Sequence, residues 1–253
     1  MINHVNASGG FKCPCDFFGY AENAHGQNFH YTPYLPMDDR VYLLLLFMGR
    51  KAMEIYMDFK NSETIVNLGR AFAGECQART RYRFYASLAK KEGQPYLARL
   101  INEIADNEYA HAKIFFDYIN KLSDSPVHNL DIDAGYPYTI GETVMNLKDA
   151  ANAEKDEYED IYPKFAEIAD NEGFKDVANS FRLIADIEKS HHKSFSILAQ
   201  KEESGTLYKE EGSAIWRCSV CGYIHEGEKA PQICPVCQHS QGHYELQVNL
   251  KQV

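Results

Sequence analysis

The decapeptide IADNEYAHAK at residues 104–113 returns at residues 184–193 as IADIEKSHHK. Both copies carry Glu-x-x-His: Glu108 with His111, and Glu188 with His191. On a helix this spacing sets an oxygen and a nitrogen donor one turn apart on one face, able to share a metal ion. Each pair interrupts an apolar stripe. One stripe holds Leu97, Ile101, Ile104, Glu108, His111, Phe115, Tyr118 and Leu122; the other holds Val177, Phe181, Ile184, Glu188, His191, Phe195 and Leu198. Glu75 shares a face with Leu68, Phe72, Tyr82 and Ala86, while Glu154 and Glu157 lie with Val144, Leu147, Ile161, Phe165 and Ile168. Five carboxylates then converge on an apolar interior. Burying even one unpaired carboxylate costs on the order of tens of kcal/mol by Born solvation, answered in practice by a pKa shift. Two divalent cations would offset four of the five charges. Glu from each of two helices, with Glu-x-x-His from the other two, is the ligand set of dimetal carboxylate bundles. Glu157 breaks the symmetry, because Ala78 stands three residues after Glu75 where Glu157 stands three after Glu154. It reads either as a fifth anionic ligand or as a helix-surface glutamate.

A second ligand set lies near the C-terminus. In WRCSVCGYIHEGEKAPQICPVC, Cys218 and Cys221 are followed after twelve residues by Cys234 and Cys237. Two CxxC knuckles make a tetrahedral four-thiolate site for iron or zinc. Gly222 and Pro235 suit the tight turns that point amides at sulfur. Zinc there is purely structural; iron carries one electron. Cys13 and Cys15, with His25 and His30, make at most a weak further site, because one CxC lacks a second knuckle. Cys76, beside Glu75, reads as a small buried residue.

The elements that must position these groups follow from periodicity and breakers. Residues 1–37 are rich in Gly, Pro and Asn and read as irregular; a helix is expected from about 38 to 60. A first long helix runs from Ser62 to Gly93 and a second over 95–122, with Pro95 in its first turn. Thr139 opens a third, with Glu142 completing a capping box, and that helix ends before Gly173. A fourth covers 174–202. Each half is a helix with a central Glu, a glycine turn, and a helix with a central Glu-x-x-His. Gly93 to Glu108 and Gly173 to Glu188 are both 15 residues, whereas Glu75 lies 18 before Gly93 and Glu154 lies 19 before Gly173. Two long hairpins joined by one longer connection make a four-helix bundle. The domain plan is therefore an extension over 1–60, a mainly α four-helix bundle over 61–203, a linker over 204–215 and a small cysteine module over 216–253. A linker of that length leaves open whether the module reaches its own bundle or a neighbour's.

Composition narrows the class. The 253-residue chain carries a net charge of -10, which repels a nucleic-acid backbone. Its longest apolar run, VYLLLLFM at 41–48, is far too short to span a bilayer. The N-terminus MINHVNASGG lacks the basic and apolar regions of a secretory signal. With paired CxxC motifs rather than a disulfide framework, these features predict a cytoplasmic protein.

Together AFAGECQARTRY, EYAH, AEKDEYEDIYPKFAEIA, EKSH and the cysteine motif resemble the rubrerythrin family, over about residues 62–250. The resemblance implies a ferritin-like di-iron bundle followed by a rubredoxin-like domain. It implies reduction of hydrogen peroxide to water, with electrons arriving through the four-cysteine iron from a rubredoxin or an NAD(P)H-dependent reductase. It implies two Fe held by Glu75, Glu108, His111, Glu154, Glu157, Glu188 and His191, with Glu157 and His111 exchanging on one iron as it is reduced. It places Tyr82 and Tyr162 near the site, where each is either a core aromatic with a satisfied hydroxyl or a catalytic group. It also implies a homodimer or higher homo-oligomer, in which the cysteine site of one chain approaches the di-iron site of another. The rivals are a ferroxidase or other iron-handling ferritin relative, and a non-catalytic module with a structural zinc ribbon.

Overall fold

A computed structural model describes residues 59–247. The expected helix over 38–60 (all but its end), Cys13, Cys15, His25 and His30, and the last six residues of the cysteine module lie outside the described residues. Phe59–Asn61 forms a 3-10 turn that leads into the bundle.

Helix α1 spans Glu63–Lys91. The Ser62 hydroxyl accepts from the amide of Ile65 at 3.2 Å, satisfying one of the free amides of the first turn. Gly93 ends the helix at φ +86, a left-handed conformation that only glycine adopts cheaply. Helix α2, Pro95–Leu122, follows after one further residue. The second hairpin repeats the device: Gly173, at φ +90, separates a helix ending at Asn171 from helix α5, Lys175–Glu203. In both turns an amide bonds back five residues, Gln94 to Ala89 (2.9 Å) and Phe174 to Ala169 (2.8 Å).

The third rod departs from expectation in two ways. It begins at Thr143 rather than Thr139, and Glu142 makes no side-chain cap. The start is set elsewhere: the Asn146 amide closes on both backbone groups of Gly141, at 2.8 Å each, and the Thr143 hydroxyl donates to Glu92 at 2.6 Å. The rod is also not one continuous α-helix. Helix α3, Thr143–Asp156, passes through a π-helical turn, Glu157–Ile161, into helix α4, Tyr162–Asn171. A π-turn holds one extra residue. That residue accounts for the spacing of 19 where the other half has 18, and it keeps Glu154 level with Glu75.

The connection from α2 to α3 runs along α1. Tyr136 donates to the carbonyl of Arg70 (2.8 Å), and Leu130 and Ile132 lie so close to Gly69 that a β-carbon there would meet them at 2.7 and 2.9 Å. Apolar packing falls into two clusters along the bundle. One contains Tyr82, Leu97, Ile101, Leu147 and Phe195; the other contains Leu68, Phe115, Tyr162, Phe181 and Ile184. In sequence the buried carboxylates fall between them, Glu108 following Ile104 of the first cluster and preceding Phe115 of the second.

The cysteine module is a three-stranded antiparallel sheet in the order β2-β1-β3, with β1 Lys209–Cys218, β2 Ile224–Lys229 and β3 Tyr244–Gln247. Trp216, fully buried, donates from Nε1 to the carbonyl of Gly227 at 3.1 Å. Strand β1 starts at Lys209, inside the stretch 204–215 expected to be linker, because its first residues pair back onto β2 with Lys209 opposite Lys229. Bundle and module belong to one unit. Gly242 lies against the hairpin turn so closely that a β-carbon would overlap the carbonyl oxygen of Gly93. Beside it the buried Glu245 accepts from Arg99 of α2 at 3.1 Å and from Arg217 of β1 at 2.8 Å.

Candidate metal centres

Four helices each bring acidic or imidazole groups to mid-height. Glu75 comes from α1, Glu108 and His111 from α2, Glu154 from α3, and Glu188 and His191 from α5; all six are buried. Their donor atoms form two overlapping groups, each within 4.8 Å: Glu75, Glu108, His111 and Glu188, then Glu108, Glu154, Glu188 and His191. Glu108 and Glu188 belong to both groups, which is the arrangement of two carboxylates spanning two metal positions. The structure thus brings together six of the seven expected ligands. Glu157 stands in neither group: it lies in the π-turn and is half-buried.

Both imidazoles face inward through Nδ1. His111 Nδ1 lies 3.0 Å from Glu108, 2.9 Å from Glu188 and 3.7 Å from Glu75. His191 Nδ1 lies 2.7 Å from Glu188, 3.1 Å from Glu108 and 3.8 Å from Glu154. Of these contacts, that of His111 Nδ1 with Glu108 Oε2 is a hydrogen bond. Glu75 Oε2, Glu108 Oε1, Glu154 Oε2, both oxygens of Glu188 and His191 Nδ1 are buried without a hydrogen-bond partner among the described residues. Leaving a polar group so costs about 1–3 kcal/mol each, and more when charged. Carboxylate and imidazole donors converging this closely, most of their inward atoms unsatisfied by the protein, fit divalent cations.

The electrostatics agree. Burial, then the neighbouring charges of Glu188 and Glu108, holds Glu75 well above the usual carboxylate range, although His111 pulls the other way. Burial and the charge of Glu108 lift Glu154 to about 8. Burial opposes ionisation of Glu108 too, but hydrogen bonding from both imidazoles wins and holds it at about 2. Burial would neutralise His191, yet Glu108, Glu154 and Glu188 raise it to about 12; His111 is raised in the same way by Glu108, Glu188 and Glu75. The cluster draws positive charge to the places where metals would sit.

The two expected tyrosines flank this layer symmetrically. The buried hydroxyl of Tyr82 donates to Glu154 Oε1, and that of Tyr162 donates to Glu75 Oε1. Burial and the adjacent carboxylates push both phenols well above their usual range, so they stay protonated donors. Cys76 is exposed on the outer face of α1, not buried as expected. It follows Glu75 in the chain, and adjacent helical residues point about 100° apart.

In the module, Cys218 and Cys237 sulfurs lie 3.6 Å apart, as do those of Cys221 and Cys234. That is far beyond a disulfide bond and close to the edge of a tetrahedron with metal–sulfur bonds of about 2.3 Å. The knuckles match: the amide of Gly222 bonds to Cys218 (2.9 Å) and that of Gln238 to Cys234 (2.9 Å). Gly222 at φ +78 has its counterpart in Gln238 at φ +64, a non-glycine residue in left-handed backbone that the motif alone does not reveal. The Cys234 thiol, despite burial, is drawn down to about 6 by the amides of Cys237 and Val236 and the Tyr244 hydroxyl.

Sequence reading missed three residues that hold these centres in place. Asn107 Oδ1 lies 3.3 Å from His191 Nε2, and Arg99 and Glu245 join bundle to module. Asn107 had left a trace, since the repeat carries Ile187 at the same offset.

The family model for rubrerythrin matches residues 66–199, and the model for the rubrerythrin rubredoxin-like domain matches 216–245. Rubrerythrin-1 of Clostridium acetobutylicum is 44% identical over 187 residues, covering 74% of this chain and 95% of that protein. Rubrerythrin of Nitratidesulfovibrio vulgaris is 40% identical over 188 residues, with the same coverage of 74% and 95%. The fold is also that of nigerythrin in a partially reduced state, with a TM-score of 0.50 at 24% identity over 73% of this chain and 86% of that one. A Desulfovibrio desulfuricans bacterioferritin gives a TM-score of 0.50 at 20% identity over 60% of this chain and 86% of that one. With a ferritin-like di-iron carboxylate site and a rubredoxin-like four-cysteine site on one polypeptide, the chain belongs to the rubrerythrin family.

Proposed function

We propose that this protein is a cytoplasmic non-haem di-iron peroxidase that carries out H2O2 + 2 e− + 2 H+ → 2 H2O. The observation that carries the reading is the coexistence of two candidate metal centres of different character: a layer of buried carboxylate and imidazole donors, and a four-thiolate tetrahedron. A bundle that only oxidises or stores iron needs no electron-carrying appendage, and a module that only binds partners needs no complete ligand set.

When bound, two ferrous ions in the bundle would supply two electrons and Lewis acidity, and iron in the cysteine site would supply one electron at a time. Glu108 and Glu188 would span the two positions, Glu75 and His111 would complete one, and Glu154 and His191 the other. Glu157, outside both groups, is the carboxylate available to exchange with His111, as the family resemblance implies. Tyr82 and Tyr162 hold their carboxylates in orientation and keep their protons while doing so. Electrons would come from a rubredoxin or an NAD(P)H-dependent reductase.

Electron delivery is proposed to run between subunits of a homodimer or higher homo-oligomer. The module rests on the Gly93 turn, and Glu108 lies 15 residues from Gly93, about 22 Å along the helix. Electron tunnelling weakens steeply with distance, so a neighbour's module is the better donor. Exposed Phe84, Tyr109 and Phe116 on the α1–α2 hairpin offer apolar surface for that neighbour.

The test is Glu188→Ala. Turnover with hydrogen peroxide should be lost while the visible spectrum of the cysteine site is retained; wild-type turnover in this variant would sink the di-iron assignment. A red ferric-thiolate chromophore that bleaches on reduction identifies iron in the module, and a colourless module identifies zinc.

A further inference from the structure

His111 and His191 occupy the same place in the repeat, but only one of them is held from behind. His191 presents Nδ1 to Glu108 and Glu188, and its Nε2 faces Asn107 Oδ1 at 3.3 Å. An amide oxygen accepts only, so this contact keeps a proton on Nε2, and the proton that a metal would displace is the one on Nδ1, the nitrogen that faces the carboxylates. The opposite amide orientation would put the proton on the inward nitrogen and abolish the donor. His111 turns the same nitrogen inward, yet among the described residues its Nε2 has no hydrogen-bond partner.

The repeat supplies the reason. Glu108 of α2 approaches His191 of α5, and Glu188 of α5 approaches His111 of α2. In the first half the residue before the glutamate meets the opposite imidazole at Nε2, and the repeat assigns the same place to the residue before the second glutamate. Before Glu108 that residue is Asn107; before Glu188 it is Ile187, whose side chain accepts nothing.

We propose that Asn107 is a positioning residue that locks His191 in its Nδ1-donating tautomer, and that Ile187 denies His111 the same hold. Two metal positions built from one repeated motif then differ in how firmly their histidine is fixed. The inference rests on the dimetal reading of the bundle and concerns how its two halves diverge.

The test uses the full-length chain, cleared of metal and reloaded with Co(II), followed by calorimetry and visible absorption. Co(II) in the cysteine site, with its thiolate charge-transfer bands, is an internal control untouched by the variants. Asn107→Leu should weaken one of the two bundle positions about 10–100-fold, as loss of such an orienting partner does, and leave the other unchanged. Asn107→Asp, which keeps an acceptor oxygen, should restore it, and Ile187→Asn should tighten the second position. A purely structural role predicts none of this selectivity, because it would weaken both positions together. Two wild-type affinities in Asn107→Leu, or an Asn107→Asp variant as weak as Asn107→Leu, would overturn the proposal. Wild-type protein that takes up Co(II) only in its cysteine site would instead overturn the dimetal reading.

Discussion

At the scale of residues, the chemistry rests on donor atoms that protein partners leave unsatisfied. Tyr162→Phe tests how far the outer hydroxyls contribute. The variant keeps the ring within the cluster of Phe115, Phe165 and Phe181 but removes the donor to Glu75 Oε1, and Glu75 Oε2 already has no partner. The metal position built on Glu75 should lose about 10–100-fold in affinity, read by Co(II) titration, with folded content by circular dichroism unchanged. Proton linkage gives a second expectation. Glu154 in the folded protein titrates at about 8 against an ordinary 4.5. Between these values the folded state holds a proton that the unfolded chain has released, so stability falls as pH rises across that window. His191, raised from 6.5 to about 12, contributes stability that is complete below pH 6.5 and is lost as pH rises through 12. Both act in one direction. The Tm of chelator-treated protein should therefore fall from pH 5 to pH 8, and metal loading should remove that slope by replacing protons with cations.

At the scale of elements, the π-turn Glu157–Ile161 is the feature that makes the halves unequal. It lets the third rod carry one residue more than the first without rotating Glu154 away from the centre. Asp160 is exposed, and its ion pair with Lys164 (2.6 Å) is worth little at the surface. Deleting Asp160 should convert the turn to ordinary α-helix and restore the spacing of 18 found in the first half. The bundle should keep its thermal midpoint within a few degrees and still take up two metals. What should be lost is turnover, because Glu157 is re-aimed by about 100°. Full peroxidase activity in the deletion would show that the π-turn is not needed to present Glu157.

At the scale of the whole molecule, the position of the module sets where electrons would enter under the proposed function. Gly242 is the tightest point of its docking, so Gly242→Ala forces the backbones apart and should cost about 1–3 kcal/mol of that contact. Limited proteolysis between Glu203 and Lys209 should become faster, and steady-state turnover with an external reductase should fall. A single turnover of the pre-reduced bundle should be unaffected. Complementation addresses the route itself. Glu188→Ala chains keep a sound module with a dead bundle, and Cys221→Ser chains keep the reverse. Mixed oligomers should recover part of the steady-state rate; verified mixed oligomers without recovery would favour transfer within one chain.

The repeated Glu-x-x-His, the glycine turns at Gly93 and Gly173 and the paired CxxC knuckles were legible because their physics is local: helical periodicity, left-handed backbone and thiolate spacing act over a few residues. From these alone came the bundle, six buried donors that the structure brings together, and the cysteine tetrahedron. Even the π-turn left its mark, as 19 residues where the other half has 18. Other features depended on partners distant in sequence. The third helix starts where Asn146 and Glu92 set it, not at the capping pattern of Thr139. Cys76 faces outward because α1 turns its Glu75 face inward. Residues 209–215 are strand rather than linker because β2 offers them a partner. Asn107 and Glu245 gain their roles only from neighbours 84 and 146 residues away along the chain, which tertiary packing alone brings within bonding distance.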